Sequence, residues 1–116
     1  MTSAVWLRIA AVSGFLVVAL GAFGAHGLKD LLVKRGTLDI WEKAVLYQMF
    51  HTLALLLLAA RTNIHVGAAV CFLLGMVIFC GSLYGLAITN IRWLGAITPL
   101  GGLGFLIGWG WLVWRP

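Results

Sequence analysis

The residues of this sequence best suited to chemistry are polar side chains inside an otherwise apolar segment. Tyr47, Gln48, His51 and Thr52 lie in one such segment. Gln48 and His51 share a helical face, which Tyr47 and Thr52 flank. Histidine can titrate near neutral pH, so this cluster could line a path for a proton or a small solute. Such groups are costly in a membrane unless they pair, so an interhelical hydrogen-bond cluster is the other hypothesis.

Three residues of other segments are candidate partners of this cluster: His26, Ser82 and Thr98. Haem held between His26 and His51 is one alternative. Bis-histidine ligation needs both rings at a similar depth. His51 is expected roughly 10 Å below Ala44 along its helix, whereas His26 lies near the surface. We therefore predict no haem and no other cofactor.

The sequence also argues against a metal site and against catalysis. Cys71 and Cys80 fall on opposite faces of one helix, so we expect neither a mutual disulfide nor a metal pair. All acidic residues lie between Asp30 and Glu42, outside the apolar segments. Small four-helix multidrug exporters use an acid inside the first span, so proton-coupled drug export is not expected. Since no nucleophile–base pairing or phosphate loop is recognisable either, we predict that the protein is not an enzyme.

The composition indicates an integral membrane protein. Of 116 residues, 63% are hydrophobic and only 9% are charged, whereas a soluble domain carries about a quarter charged residues. The net charge of +5 comes from basic residues at segment ends, where they anchor helices, so no nucleic-acid partner is expected. The lipid bilayer is the first predicted partner.

Four apolar segments are long enough to cross the hydrocarbon core of a bilayer. They cover residues of about 9–25, 44–60, 66–88 and 93–114. The short links after the second and third segments favour antiparallel neighbours. The predicted fold is therefore all-α: a single domain over residues 1–116, forming an antiparallel bundle of four transmembrane helices.

The link between the first two segments is predicted to hold a short interfacial helix or turn, broken near Gly36. Thr37 is a candidate N-cap for the next helix, which would then begin at Leu38. Several tryptophans are candidate interfacial anchors. They are Trp6, Trp41, Trp93, Trp109, Trp111 and Trp114.

Small residues at helical spacing predict close helix packing in all but the second segment. The glycines concerned are Gly14, Gly21, Gly24, Gly67, Gly75, Gly85, Gly101, Gly104 and Gly108. The third segment has the clearest small-residue face, which we expect to pack against a helix along most of its length. Pro99 is predicted to kink the fourth segment near Gly95.

The distribution of basic residues predicts the orientation in the membrane. With four spans, both termini lie on one side. Five basic residues lie on the opposite side, where the first and third links are: Lys29, Lys34, Arg35, Lys43 and Arg92. Only Arg8, Arg61 and Arg115 share the side of the termini. Positive-inside counting then places both termini outside the cytoplasm.

Three motifs resemble one known family. They are GAFGAHGLK, YQMFHTLALLL and ITPLGGLGFLIGW, which begin at Gly21, Tyr47 and Ile97 and together touch all but the third segment. The chain resembles the YgdD-like family of small bacterial inner-membrane proteins along its whole length. That family is uncharacterised, so the resemblance implies a four-helix, multi-pass protein of the inner (plasma) membrane and no activity. The matching positions are Gly24, Ala25, His26, Gly27, Tyr47, Gln48, His51, Thr98, Pro99, Gly101, Gly102, Gly108 and Trp109.

Two functions remain open from the sequence. The first is a non-enzymatic helix-packing protein, acting as a homo-oligomer or as an accessory subunit of a larger membrane complex. The second is a channel or facilitator for a small solute or ion, lined by Tyr47, Gln48 and His51. A continuous wet passage to His51 would favour the second function. A dry, hydrogen-bonded His51 would favour the first.

Overall fold

The computed structural model describes residues 2–116, and all regular secondary structure in that range is helical. A π turn, Met76–Cys80, interrupts the fourth helix, and a 3₁₀ turn, Arg92–Ala96, precedes the fifth. The helices are α1 (Ser3–Ala25), α2 (Lys29–Arg35), α3 (Leu38–Ala59), α4 (Val66–Thr89, including the π turn) and α5 (Thr98–Trp114).

Three of these stretches are long and apolar enough to cross a membrane: Ser3–Ala25, Val66–Thr89 and Arg92–Trp114. The remaining long helix, α3, has 22 residues. Its first turns carry charged side chains and its middle carries Gln48 and His51, which lower its hydropathy. α3 is therefore the least apolar of the four long helices.

Each helix packs against the next long helix in the chain. α1 packs on α3, α3 packs on α4, and α4 packs on α5. The ends of α1 and α3 meet in opposite order, since Trp41 donates to the Leu20 carbonyl and Ser3 donates to the Ala59 carbonyl. The start of α1 therefore lies beside the end of α3, and the end of α1 lies beside the start of α3. The two helices run antiparallel.

The molecule is thin in one direction, with extents of 47 × 26 × 19 Å. The smallest extent is about two helix diameters. Because the chain packs as a succession of neighbours, grooves remain between helices that are not consecutive partners. One groove separates α1 from α4, and another separates α3 from α5.

Trp6 and Trp41 are buried, so their prediction as interfacial anchors is wrong. Their side chains are 1% and 2% exposed. Trp41 fits against Gly24, where any Cβ would collide with the indole, and its N–H donates to the Leu20 carbonyl at 2.9 Å. Trp93 and Trp114, in contrast, are exposed as anchors should be.

The link between α1 and α3 has the predicted form. The short helix α2 ends at Gly36, whose φ of 69° is a left-handed conformation that favours glycine. As predicted, α3 begins at Leu38. Thr37 occupies the N-cap position without capping the helix, because its hydroxyl donates to the Ala87 carbonyl at 2.8 Å. That bond joins the link to the end of α4.

The small-residue face of α4 packs against α5 and the turn before it, as predicted, but side chains fill most of the groove. Gly67 lies against the ring of Trp111, Gly75 lies against Phe105, and Gly85 faces Leu94. The closest backbone contact is at Gly101, where a Cβ would meet the backbone of Phe79. Close backbone approach is therefore concentrated between the middle of α4 and the first half of α5.

The remaining predicted packing glycines also lie against a neighbouring helix. Gly14 faces Thr52, Gly21 faces Val45, Gly104 faces the Cys71 carbonyl and Gly108 faces Phe72.

Pro99 lies in the first turn of α5, so the predicted kink within that helix is wrong. Proline fits the first turn because its missing N–H has no helical acceptor there. The interruption expected near Gly95 takes the form of the 3₁₀ turn that precedes the helix.

Candidate functional site

Gln48 is the centre of a hydrogen-bonded group that joins three helices. Its Nε2 donates to the Ser13 hydroxyl at 3.2 Å, and its Oε1 accepts from the Tyr84 hydroxyl at 2.7 Å. Ser13 also bonds the Thr52 hydroxyl at 2.6 Å. We call Ser13, Gln48, Thr52 and Tyr84 the amide network. It links α1, α3 and α4 in the middle of the molecule.

His51 lies one turn after Gln48 on α3 and bonds outside the amide network, through both ring nitrogens. Nε2 lies 3.0 Å from the indole nitrogen of Trp109, and Nδ1 lies 2.9 Å from the Tyr47 carbonyl oxygen. An indole N–H can only donate and a carbonyl oxygen can only accept. The arrangement therefore requires a neutral imidazole with its proton on Nδ1, and leaves neither nitrogen free.

Aromatic rings surround the imidazole of His51. Its ring stacks on Phe105 with the centroids 3.7 Å apart and an interplanar angle of 8°. Phe72 presents its edge at a centroid distance of 5.3 Å. The side chain is 3% exposed. His51 is thus held in one orientation by packing as well as by hydrogen bonds.

The structure divides the residues that the sequence grouped together. Gln48 and His51 are buried as their shared helical face predicts, and Thr52 is buried with them, whereas Tyr47 is 39% exposed and packs its ring on Phe79 at a centroid distance of 4.7 Å.

The three candidate partners lie elsewhere. Ser82 and Thr98 bond each other at 2.6 Å. His26 is exposed at the C-terminal end of α1. The partners of the predicted cluster are other residues.

Sequence reasoning missed three of the partners: Ser13, Tyr84 and Trp109. The first two carry the signal that identified Gln48, a polar group within an apolar stretch. Ser13 also lies on the buried side of α1 that contains Ala10 and Val17. The sequence predicts Trp109 as an interfacial anchor, and no local pattern indicates that its N–H reaches His51.

Three grooves reach the surface beside these residues. The aromatic groove, between α3 and α5, has a volume of about 860 Å³ and is bordered by Tyr47, His51 and Trp109. A second groove of about 630 Å³, between α1 and α4, reaches Ser13 and Gln48. We call this second groove the amide groove.

The third groove lies between the end of α1 and the start of α3 and has a volume of about 950 Å³. Charged side chains line its outer part, and we call it the charged groove. Its inner part is bordered by apolar residues of α3 such as Val45 and Met49.

Nearly all buried polar side-chain atoms of the described residues form hydrogen bonds. Over residues 2–116, the indole nitrogen of Trp6 is the one buried side-chain nitrogen or oxygen without a partner. In the same range no three His, Cys, Asp or Glu side chains form a metal-binding group, and Cys71 and Cys80 are free thiols. The hydrogen bonds between buried side chains therefore hold neighbouring helices together.

Comparison with known proteins identifies relatives along most of the chain. A family model described as "Protein of unknown function (DUF423)" matches residues 20–102. A UPF0382 membrane protein of Staphylococcus epidermidis is 50% identical over 109 residues, which cover 90% of this chain and 88% of the relative. The chain belongs to this family.

Further UPF0382 relatives agree with that assignment. One from Staphylococcus saprophyticus is 46% identical over 113 residues, covering 94% of this chain and 93% of the relative. The inner membrane protein YgdD of Escherichia coli K12 is 45% identical over 116 residues, covering 94% and 86%. The resemblance to the YgdD-like family is thus confirmed. No solved structure matches the chain.

Proposed function

We propose that this protein is a non-enzymatic helix-packing protein of the inner membrane, acting as a homo-oligomer or as an accessory subunit of a membrane complex. In this proposal α1, α3, α4 and α5 all span the bilayer as an antiparallel bundle. The observation that carries it is the bonding of the buried polar side chains to one another and to the backbone. Polar groups committed in this way fix helices and leave no reactive centre.

The fourth span in this proposal is α3. It is 22 residues long and so about 33 Å in length, which is enough to cross the hydrocarbon core. Its antiparallel contact with α1 extends along both helices. The polar side chains that lower its hydropathy bond to α1, α4 and α5, so lipid does not have to accommodate them.

The amide groove supplies a surface for packing against another helix. Gly81 borders this groove, and a Cβ at that position would have no neighbour within 4 Å. Membrane helices associate through close contact at such small residues, because lipid offers no hydrophobic gain on association. A helix of a second molecule could therefore approach α4 closely at Gly81.

The experiment is a mass measurement of the protein in lipid nanodiscs, after expression alone and after purification from native membranes. We expect a multiple of the 12.5 kDa chain for a homo-oligomer, or one partner at fixed stoichiometry for an accessory subunit. Gly81→Leu should shift that assembly towards the monomer.

The matched control is Gly110→Leu, which is equally open but lies outside the three grooves. It should leave the assembly unchanged. A monomer in both preparations, or equal behaviour of the two variants, would contradict the proposal.

A facilitator for a small neutral solute is the second candidate. The amide groove favours it, because the groove gives access to the hydrogen-bonding side chains of Ser13, Gln48 and Tyr84. Support is weaker because Tyr47 and His51 line a different groove. Proteoliposome swelling with solutes of increasing size would decide: faster entry than into empty liposomes, abolished by Gln48→Leu, favours transport.

A further inference from the structure

The charged groove combines a balanced set of charges with an apolar continuation. Lys29 of α2 and Lys43, Asp39 and Glu42 of α3 border its outer part, and all four side chains are exposed. The two cations and two anions give this rim a formal charge of zero. A free anion or a free cation alone would therefore gain little from the complete set.

The inner part of the same groove is suited to hydrocarbon. Its wall on α1 consists of the small residues Gly21, Gly24 and Ala25, none of which carries a long side chain into the groove. On α3 the apolar surface starts at Val45, two residues after Lys43 and about 3 Å further along the axis, and continues to Met49. A ligand occupying the whole groove would thus have a charged head and an apolar tail.

The charged groove and the aromatic groove share two residues, Leu46 and Tyr47. Apolar surface therefore continues on both sides of this pair, towards Met49 in one groove and towards Phe50 in the other. Two hydrocarbon chains from one head could lie on either side of Leu46 and Tyr47. This arrangement matches the shape of a diacyl lipid.

We propose that these grooves bind one phospholipid whose headgroup carries a phosphate and a primary ammonium. Lys29 and Lys43 contact the phosphate, and Asp39 and Glu42 accept hydrogen bonds from the ammonium. The two acyl chains follow the charged groove and the aromatic groove. Charge complementarity selects this headgroup, since an anionic lipid would leave the two carboxylates facing negative charge, and a quaternary ammonium has no N–H to donate.

The experiment uses the full chain in nanodiscs that contain equal amounts of phosphatidylethanolamine, phosphatidylcholine and phosphatidylglycerol with identical acyl chains. Native mass spectrometry then measures which lipid remains bound as the nanodisc is removed. We expect one retained phosphatidylethanolamine per chain. Glu42→Gln should lower its excess over phosphatidylcholine by about two- to fivefold, as expected for one exposed charged contact.

The matched control is Asp30→Asn, which removes a carboxylate from α2 at the same end of the molecule but outside the groove. It should leave the retained lipid unchanged. Equal retention of the three lipids, preferential retention of phosphatidylglycerol, or equal effects of the two variants would overturn the proposal. The result is independent of oligomeric state, because the lipid is counted per chain.

Discussion

At the scale of single residues, the hydrogen bond between His51 and Trp109 joins α3 to α5 beside the aromatic groove. The indole donates to Nε2 at 3.0 Å, and the imidazole is 3% exposed and stacked on Phe105. A buried acceptor that loses its donor costs more than the bond contributes net, because its desolvation is then uncompensated. The pair is therefore sensitive to removal of either member.

Replacing Trp109 by Phe should lower the free energy of unfolding by about 1–3 kcal/mol, because Nε2 of His51 loses its donor. Trp111→Phe is the control, since the two tryptophans are 38% and 40% exposed. It should cost less, because Trp111 gives no hydrogen bond to His51. Thermal unfolding in one detergent measures both, and equal losses would show that the hydrogen bond is unimportant.

The amide network allows a second test at this scale. Gln48→Met should cost about 1–2 kcal/mol, since it leaves the Tyr84 hydroxyl without a partner and removes one of the hydrogen bonds of Ser13. Adding Tyr84→Phe should add little further loss, because the unpaired hydroxyl is then absent. A double-mutant cycle of unfolding free energies measures this coupling. Strictly additive losses would contradict the Gln48–Tyr84 bond.

At the scale of the elements, the contact between α4 and α5 depends on one position more than on its neighbours. A Cβ on Gly101 would meet the backbone nitrogen and Cα of Phe79, which cannot rotate away. A Cβ on Gly102 would make ordinary contact with the Phe79 ring at 3.8 Å. A methyl side chain therefore fits at Gly102 but not at the adjacent Gly101.

Gly101→Ala should destabilise the protein by about 1–3 kcal/mol, as overpacking of a close contact does. Gly102→Ala is the matched control and should be neutral or stabilising by up to about 1 kcal/mol, since alanine favours a helix. Thermal stability in lipid compares the two. A stable Gly101→Ala variant would mean that α4 and α5 are further apart than the structure has them.

Helix positions and the inward face of α3 could be predicted from the sequence, because apolar length and helical spacing are local properties. The partners of that face could not. Whether Gln48 meets Ser13 and Tyr84 depends on which helices pack together and at what depth. The burial of Trp41 depends likewise on space left by Gly24, a residue in another helix. Local patterns contain neither kind of information.

For the whole molecule, the charge distribution gives a prediction about orientation. The end that contains α2 and the start of α3 carries five basic residues, against three at the end of the termini. Positive-inside counting then places both termini outside the cytoplasm. A reporter active only in the cytoplasm, fused after Pro116, should be inactive, and a reporter active only outside should work. The reverse pattern would contradict the predicted orientation.

The π turn Met76–Cys80 has a consequence for how the chain tolerates changes in length. A π turn accommodates one residue more than an α-helical turn does. Deleting exposed Val77 should therefore convert α4 to a regular helix and keep both halves facing their neighbours. Deleting Val70 should instead rotate one half by about 100° against the other. We expect the Val77 deletion to retain most thermal stability and the Val70 deletion to lose it, and equal losses would contradict this view. Because of the π turn, α4 can lose one residue there while both of its halves keep the same faces towards their neighbours.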